Sequence, residues 1–245
     1  MNRYLIKIAF DGTSYHGFQV QPNGVTVQST LMEALKKLTG ENATVTGCSR
    51  TDAGVHAREF YFHTDISLNL PQKAFIKGLN SLLPDDIKVL SAKKTENTFH
   101  ARYNVSNKTY EYGFYLGKED PFLHRYYLHL DKEPSVKLMN KFCKSIIGTH
   151  DFCGFSSAKR TVSETVRTVY KCKTRIEDNK IIFSITADGF LYNMVRILAG
   201  TALAVGYGRL PIDTANKVFS TNDRSLGGDT LSPKGLFLTK VIYKK

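Results

Sequence analysis

The sequence lacks the features that mark several common classes of protein. Its four cysteines are widely scattered and form no CxxC pair, which favours free thiols in a reducing compartment over a disulfide framework. Its longest apolar stretch, residues 194–205, is interrupted by Arg196 and Gly200 and is too short to span a bilayer. The first residues read as a strand and lack the apolar region of a signal peptide. We therefore expect a cytoplasmic protein without a membrane anchor.

Signatures of nucleotide and zinc chemistry are also missing. No glycine-rich loop ends in Lys-Ser or Lys-Thr, which argues against a kinase or another nucleotide-dependent enzyme. A zinc nucleobase deaminase needs HxE and PCxxC signatures, but no glutamate stands two positions after His56 and no cysteines are paired. A zinc site built from Cys143, His150 and Cys153 is conceivable, but its spacing fits no standard ligand pattern.

Acidic residues are few compared with basic ones. The chain has 34 lysines and arginines against 22 acidic residues, a formal net charge of +12. A basic excess of this size favours binding to a polyanion, most commonly nucleic acid, although a solvated basic surface would explain the charge equally well. The length of 245 residues suits one large domain or two small ones.

The hydrophobic pattern predicts an α+β fold with a largely antiparallel sheet, because strands outnumber helices and neighbouring strands are often joined by turns. The predicted strands are residues 3–10, 43–48, 59–64, 87–93, 108–116, 166–176, 180–187 and 236–243. The predicted helices are residues 27–38, capped by Thr26 and ended by Gly40, a helix beginning at Pro71 with Phe75, Leu79 and Leu82 on its buried face, and residues 135–147, 193–205 and 212–219. Residues 166–176 and 180–187 are expected to form a hairpin with its turn at residues 177–179. Residues 99–107 are the expected linker between two similar halves, residues 1–104 and 105–245.

Residues 47–57 read GCSRTDAGVHA and bring polar groups into a tight turn at the end of a strand. Gly47 and Gly54 permit unusual backbone angles. Arg50 lies two positions before Asp52, and its positive charge can keep that carboxyl ionised by lowering its pKa. Composition alone favours a structural turn in which the Asp52 side chain accepts a hydrogen bond from a backbone amide.

The same eleven residues resemble the catalytic motif of the tRNA pseudouridine synthase A family. Other segments resemble this family in the same order: DGTSYHGFQVQPN at 11–23, FHARYNVSNKTYEY at 99–112, GFLYNMVRILAG at 189–200 and GLFL at 235–238. The resemblance covers essentially the whole chain. It implies the pseudouridine synthase fold, with an active-site cleft between two similar halves. It also implies conversion of uridine to pseudouridine at positions 38, 39 and 40 of the tRNA anticodon stem-loop, with no cofactor.

The resemblance assigns roles to particular residues. Asp52 is expected to be the nucleophile, attacking the nucleotide at C1′ or at C6, with Arg196 as its buried partner. Arg50 is expected to contact the backbone of the target nucleotide or to help flip the base out. Tyr110 is expected against the target uracil, where its ring stacks on the base and its hydroxyl relays a proton. A single tyrosine in such a strand is by default a core residue.

The resemblance also implies partners. The expected RNA contacts are Arg58, Phe99, His100, Ala101, Arg102, Tyr103, Lys159, Arg160 and Arg167. His56 is interpreted as structural or as positioning RNA. The family implies a homodimer that binds tRNA and needs neither metal nor small-molecule cofactor. The alternative is a non-catalytic tRNA-binding protein, which would explain the charge but not the combination of Asp52, Tyr110 and Arg196.

Overall fold

The computed structural model describes residues 1–69, 71–157 and 164–244, and the chain divides into two compact units. Unit 1 comprises Met1–Ser106 and Phe237–Lys245, and unit 2 comprises Asn107–Leu236. Both units combine β-sheet with α-helices, which confirms the predicted α+β class. From the sequence we expect a division into residues 1–104 and 105–245, whereas the last strand of the chain pairs with a strand of unit 1.

Unit 1 is built on a mainly antiparallel sheet. Its elements are β1 (Asn2–Phe10), α1 (Val27–Thr39), β2 (Thr46–Gly47), β3 (His56–Ile66), α2 (Gln72–Leu82), β4 (Ile87–Thr95) and β10 (Leu236–Tyr243). The strand order is β4-β1-β3-β10, with β2 also paired to β3. Strand β1 runs antiparallel to β3 and β4, whereas β10 runs parallel to β3.

The ends of α1 follow local sequence signals. Thr26 caps the helix by accepting a hydrogen bond from the Ser29 amide, and the Ser29 hydroxyl accepts one from the Thr26 amide. This reciprocal pair satisfies two amides that the first helical turn leaves without partners. Gly40 ends the helix in the left-handed region, at φ 77°, where glycine has no steric penalty. The predicted cap and stop are both confirmed.

Two details of unit 1 differ from prediction. Only residues 46–47 of the predicted strand 43–48 pair as a strand, because the Val45 carbonyl accepts a hydrogen bond from the Gln28 side chain instead of a neighbouring strand. Helix α2 buries Phe75 and Leu79 as predicted, but Leu82 is 39% exposed. Leu83, the residue after the helix, takes the buried position.

Unit 2 also contains antiparallel strands covered by helices. Its elements are β5 (Val105–Leu116), β6 (Leu128–Leu130), α3 (Val136–Ser145), β7 (Gly148–Asp151), β8 (Val166–Glu177), β9 (Lys180–Ala187), α4 (Met194–Gly206) and α5 (Thr214–Thr221). Strands β5, β9, β8 and β7 are hydrogen-bonded in that order, each antiparallel to the next, and β6 runs parallel beside β5. Residues 166–187 form the predicted hairpin, with Asp178 at φ 53° in its turn. Strands β6 and β7 were not predicted.

Helix α4 is the most buried helix of unit 2. Every residue in it except Arg196 and Ala204 is buried, as expected of a helix that is apolar on all sides. Arg196 is its one charged residue, so the unit places a guanidinium at the edge of its core. No helix among the described residues is long and apolar enough to cross a membrane.

Candidate active site

Asp52 lies in a tight turn between β2 and β3. Its carbonyl accepts a hydrogen bond from the Val55 amide at 3.1 Å, which closes the turn over Ala53 and Gly54. Gly54 has φ 76°, a conformation that the third position of such a turn requires and that side-chain-bearing residues rarely adopt. The Asp52 side chain is half-buried. The turn therefore fixes the backbone that carries the predicted nucleophile.

The first loop of unit 1 braces this turn through backbone contacts. The Phe18 amide donates to the Thr51 carbonyl at 3.1 Å, and the Gly54 amide donates to the Tyr15 carbonyl at 3.2 Å. Gly17 has φ 83°, and a Cβ atom there would lie 2.5 Å from the Thr51 carbonyl oxygen. Two segments that resemble the same family at separate positions in the sequence are thus packed backbone against backbone.

His56 supports the same region from the start of β3. Its side chain is 1% exposed, and its ring stacks on Phe237 with centroids 4.6 Å apart. Its Nδ1 atom lies 3.0 Å from the Gly12 amide and 3.0 Å from an Asp11 carboxylate oxygen. An unprotonated Nδ1 accepts from Gly12, whereas a protonated one would donate to Asp11. In either state the ring is enclosed by protein, which supports the structural interpretation of His56.

Arg102 is a half-buried cation that pairs with no carboxylate among the described residues. Its Nε atom is buried and has no hydrogen-bond partner. Burial lowers the pKa of Arg102, and the nearby positive charge of Arg50 lowers it further. Neither arginine forms an ion pair with a carboxylate in the described part of the chain. Arg50 itself is exposed. Two close guanidinium groups without a counter-ion form a local positive site that suits a phosphate group.

Two histidines hold the segment that carries Arg102. The Ala101 amide donates to Nδ1 of His63, and the Arg102 amide donates to Nδ1 of His100, both at 3.1 Å. These nitrogens accept only when unprotonated. Burial, together with the positive charges of Arg3 and His100, lowers the pKa of His63 to about 4. His63 is therefore neutral near pH 7. Its role was not predicted, because nothing in β3 distinguishes it from another core residue.

The remaining predicted RNA contacts of unit 1 differ in exposure. Tyr103 is 73% exposed and stacks on His100 with centroids 4.2 Å apart. Arg58 is exposed, with its guanidinium 5.3 Å from the centre of the Phe237 ring. Phe99 is half-buried and packs edge-on against Tyr243.

Ala101 is fully buried. Its carbonyl accepts a hydrogen bond from Tyr243, and its amide is bonded to His63. Because neither its side chain nor its backbone groups are open to a ligand in this conformation, Ala101 has a structural part in the segment.

Tyr110 lies in the middle of β5, opposite Ile185 of β9. It is 6% exposed, and its ring meets Phe190 edge-on with centroids 5.1 Å apart. Phe190 belongs to the family-like segment 189–200, and Tyr110 belongs to the family-like segment 99–112. The structure therefore packs these two segments together within unit 2. The predicted contact between Tyr110 and a uracil stays a prediction.

Arg196 is oriented by two acceptors of unit 2. Its Nε donates to the Leu231 carbonyl at 2.6 Å, and its Nη1 donates to Oδ1 of Asn193 at 2.7 Å. Neither acceptor was predicted. An asparagine in front of a helix normally reads as a helix cap, and a backbone carbonyl has no sequence signal. The guanidinium plane is thus set by two points on different segments.

The other predicted residues of unit 2 contribute less. Arg167 is half-buried and donates from Nη1 to the Val166 carbonyl. Lys159 and Arg160 lie outside the described residues. Within the described ranges no group of three or more His, Cys, Asp or Glu residues could hold a metal ion. Cys143 instead has its Sγ 3.6 Å from the Thr174 hydroxyl, and His150 stacks on Phe219.

Comparisons with known proteins show which family the chain belongs to. A family model described as tRNA pseudouridine synthase matches residues 6–104 and 142–244. A protein of Thermoanaerobacter sp. (strain X514) named tRNA pseudouridine synthase A is 41% identical over 244 residues, covering 99% of this chain and 100% of the relative.

Two further relatives match over the same shares of both chains. One is tRNA pseudouridine synthase A 2 of Clostridium perfringens (strain 13 / Type A), at 41% identity. The other is tRNA pseudouridine synthase A of Caldicellulosiruptor bescii (strain ATCC BAA-1888 / DSM 6725 / KCTC 15123 / Z-1320), at 42% identity. These matches and the α+β fold identify the chain as a pseudouridine synthase, and within that class it belongs to the tRNA pseudouridine synthase A family.

Proposed function

We propose that the protein converts uridine to pseudouridine at positions 38, 39 and 40 in the anticodon stem-loop of tRNA, with Asp52 as the nucleophile. Membership of the family makes the protein an isomerase of tRNA uridine. The anticodon positions and the residue roles are the finer part of the proposal. The observation that supports it best is the half-buried Asp52 carboxylate in a turn whose backbone is braced on both sides.

The reaction explains why a carboxylate nucleophile can catalyse it without a cofactor. The bond from N1 of the uracil to C1′ of the ribose breaks, the base turns, and a bond from C5 to C1′ forms, after which C5 loses its proton and N1 takes one up. No atom is oxidised or reduced overall, so the resemblance to a cofactor-free family agrees with the chemistry. A carboxylate can hold the covalent intermediate after attack at C1′ or at C6, and both routes remain open.

Positively charged and aromatic side chains support the binding of RNA. In the part of the chain that the structure describes, Arg50 and Arg102 pair with no carboxylate, and Tyr103 presents an exposed ring. Phosphate contacts of this kind provide affinity and register, and exposed aromatic rings stack on unpaired bases. By resemblance we assign Tyr110 to the uracil, Arg196 to the nucleophile, and Arg50 to the nucleotide backbone or to base flipping. Lys159, Arg160, Arg58 and Arg167 remain candidate phosphate contacts.

The assembly and location of the protein are also part of the proposal. The family resemblance supports a homodimer that binds tRNA in the cytoplasm. Unpaired cysteines agree with a reducing compartment, since the described structure contains four free thiols and three of them are buried. Light scattering of the purified protein measures its oligomeric state directly.

The activity can be tested with tRNA transcripts that carry tritium at C5 of uridine. Formation of pseudouridine displaces the C5 hydrogen, so we expect the purified protein to release tritium without added metal or nucleotide. A chelator should not inhibit release. Transcripts with cytidine at positions 38, 39 and 40 serve as matched controls and should release none.

Three alternative outcomes would each contradict a separate part of the proposal. Release from the cytidine-substituted transcripts would place the target uridine elsewhere in tRNA. Tight binding of tRNA without release would favour the non-catalytic tRNA-binding alternative. Activity that disappears with chelator and returns with zinc would overturn the cofactor-free mechanism.

A further inference from the structure

Asn193, the residue before α4, has an unusual backbone conformation. Its φ of 60° and ψ of 3° place it in the left-handed region, which a residue with a side chain adopts only at a steric cost. A residue that caps a helix N-terminus is normally extended, and its side chain accepts a hydrogen bond from the first turn. Asn193 makes no such side-chain bond. It therefore contributes less to starting the helix than its type and position predict.

Other left-handed residues in the described structure have ordinary explanations. Asp178 lies in the turn of the β8–β9 hairpin, and Asn222 lies just after α5. Aspartate and asparagine are favoured at both kinds of position. Asn193 is the third such residue, and it takes the third position of a turn in which the Met194 amide donates to the Leu191 carbonyl at 3.1 Å. Asparagine is favoured at that position of a turn with positive φ, so the turn explains the backbone of Asn193 but not the contacts of its side chain.

The side chain of Asn193 makes two hydrogen bonds that the turn does not require. Its Oδ1 accepts a hydrogen bond from Nη1 of Arg196 at 2.7 Å, and its Nδ2 donates to the Ser157 hydroxyl at 2.9 Å. Arginine is only a donor, which fixes the orientation of the amide. The Leu231 carbonyl accepts from Nε of the same guanidinium at 2.6 Å. Two acceptors on two nitrogens of a planar group determine both its position and its tilt.

We propose that Asn193 is a positioning residue for pseudouridine formation that acts through Arg196, with Ser157 holding its amide in the required orientation. This inference rests on the proposed function, because it assumes that Arg196 takes part in the reaction. The Asn193 side chain bonds none of the first helix amides and instead accepts from the guanidinium. A displacement of a reacting group by about 1 Å can slow catalysis by about a hundredfold.

The test compares Asn193→Gly with Asn222→Gly. Glycine adopts the left-handed region freely, so each change keeps the backbone and removes one side chain. Asn222 is a matched control, because its side chain donates to Asp151 at 3.1 Å, in a part of unit 2 with no proposed role. We expect Asn193→Gly to lower the single-turnover rate by about ten- to a hundredfold and to leave the Kd for tRNA within about twofold. Asn222→Gly should retain the wild-type rate.

A double-mutant cycle shows whether the effect passes through Arg196. In an Arg196→Lys background, which retains charge but lacks the planar group, Asn193→Gly should cause little further loss, because coupled residues do not act additively. Equal rates for Asn193→Gly and Asn222→Gly, or full additivity with Arg196→Lys, would overturn the inference. The inference would also be overturned if Asn193→Gly weakened tRNA binding and left the single-turnover rate unchanged.

Ser157→Ala decides the matter if Asn193→Gly proves unstable. It removes the group that orients the Asn193 amide and should lower the rate in the same direction but less strongly, whereas a wild-type rate would contradict the proposal. The proposed function itself is judged separately, by the wild-type protein. If the wild type makes no pseudouridine, the function fails. If the wild type is active and Asn193→Gly is equally active, only the positioning role fails.

Discussion

The Asp52 turn in unit 1 and the Arg196 site in unit 2 are held in place by different means. Backbone hydrogen bonds and close glycine contacts fix the turn, and they involve residues 12–18 and 51–55. Arg196 is fixed by a carbonyl group and by one amide side chain. The turn should therefore tolerate side-chain changes and fail when a Cβ atom is added to its glycines. Arg196 should respond to the loss of a neighbouring side chain.

The largest effect is expected at Asp52 itself. Asp52→Asn keeps the shape and hydrogen-bonding capacity of the side chain but removes the anionic nucleophile. We expect the fold and tRNA affinity to be retained while tritium release falls below detection. Asp86→Asn is the matched control, since Asp86 is also a half-buried aspartate of unit 1 and binds the Tyr15 hydroxyl. Measurable turnover in Asp52→Asn would assign the nucleophile to another residue.

The second-largest effect tests whether Tyr110 is a catalytic residue or only a core residue. Tyr110→Phe keeps the packing against Phe190 and loses the hydroxyl, so we expect the single-turnover rate to fall about a hundredfold, the usual contribution of a placed acid or base. Stability should change by no more than about 1 kcal/mol, the usual net contribution of one hydrogen bond.

Tyr112→Phe is the control for this prediction. Tyr112 lies on the same strand and is also buried, and its hydroxyl donates to the Ser232 carbonyl. Loss of this hydroxyl should lower the free energy of unfolding but leave the single-turnover rate unchanged. Equal rates for the two variants would make Tyr110 a core residue. Tyr110→Ala cannot decide the question, because removing so large a buried ring costs about 3–5 kcal/mol in either case.

A third prediction examines the backbone contacts of the turn. Gly17 and Gly40 both have a positive φ, of 83° and 77°, but only at Gly17 would an added Cβ meet another atom, the Thr51 carbonyl oxygen. Both alanine variants incur about 1–2 kcal/mol from the left-handed backbone. Overpacking should lower the free energy of unfolding of Gly17→Ala by about 1–3 kcal/mol more, and this variant should also turn over more slowly. Urea unfolding measures the stability of both variants. Equal stability of the two variants would mean that the turn is not braced by this contact.

The sequence predicted the fold wherever local signals agreed with the final packing. Helix α1 begins and ends at its predicted cap and glycine, and the β8–β9 hairpin turns where its polar residues are. Prediction failed where distant groups decided the outcome. Residues 43–45 are not a strand, because the Gln28 side chain donates a hydrogen bond to the Val45 carbonyl. The last strand belongs to unit 1 because it pairs with β3.

The site was predictable to the extent that a motif carried it. The segment with Asp52 was identified from eleven consecutive residues, but its contacts with residues 12–18 were not. Asn193 reads as a helix cap in the sequence, and its bond to Arg196 shows another use. Arg58 and Arg102 look alike as predicted RNA contacts, yet one is exposed and the other is half-buried with an unpaired Nε. Burial of this kind depends on the tertiary fold.

The smallest expected effect concerns the charge beside the Asp52 turn. If Arg102 contacts a phosphate, Arg102→Gln should weaken tRNA binding and reduce the slope of log affinity against log salt by about one unit, the loss of one phosphate contact. Arg175→Gln is the matched control, because Arg175 is half-buried but already paired with Glu111 and Glu177. Its loss should leave the slope unchanged. Binding measured between 50 and 200 mM salt, roughly the range over which such contacts weaken strongly, distinguishes the two arginines. An unchanged slope for Arg102→Gln would mean that its unpaired Nε does not serve RNA, and that unit 1 attracts tRNA through its exposed arginines alone.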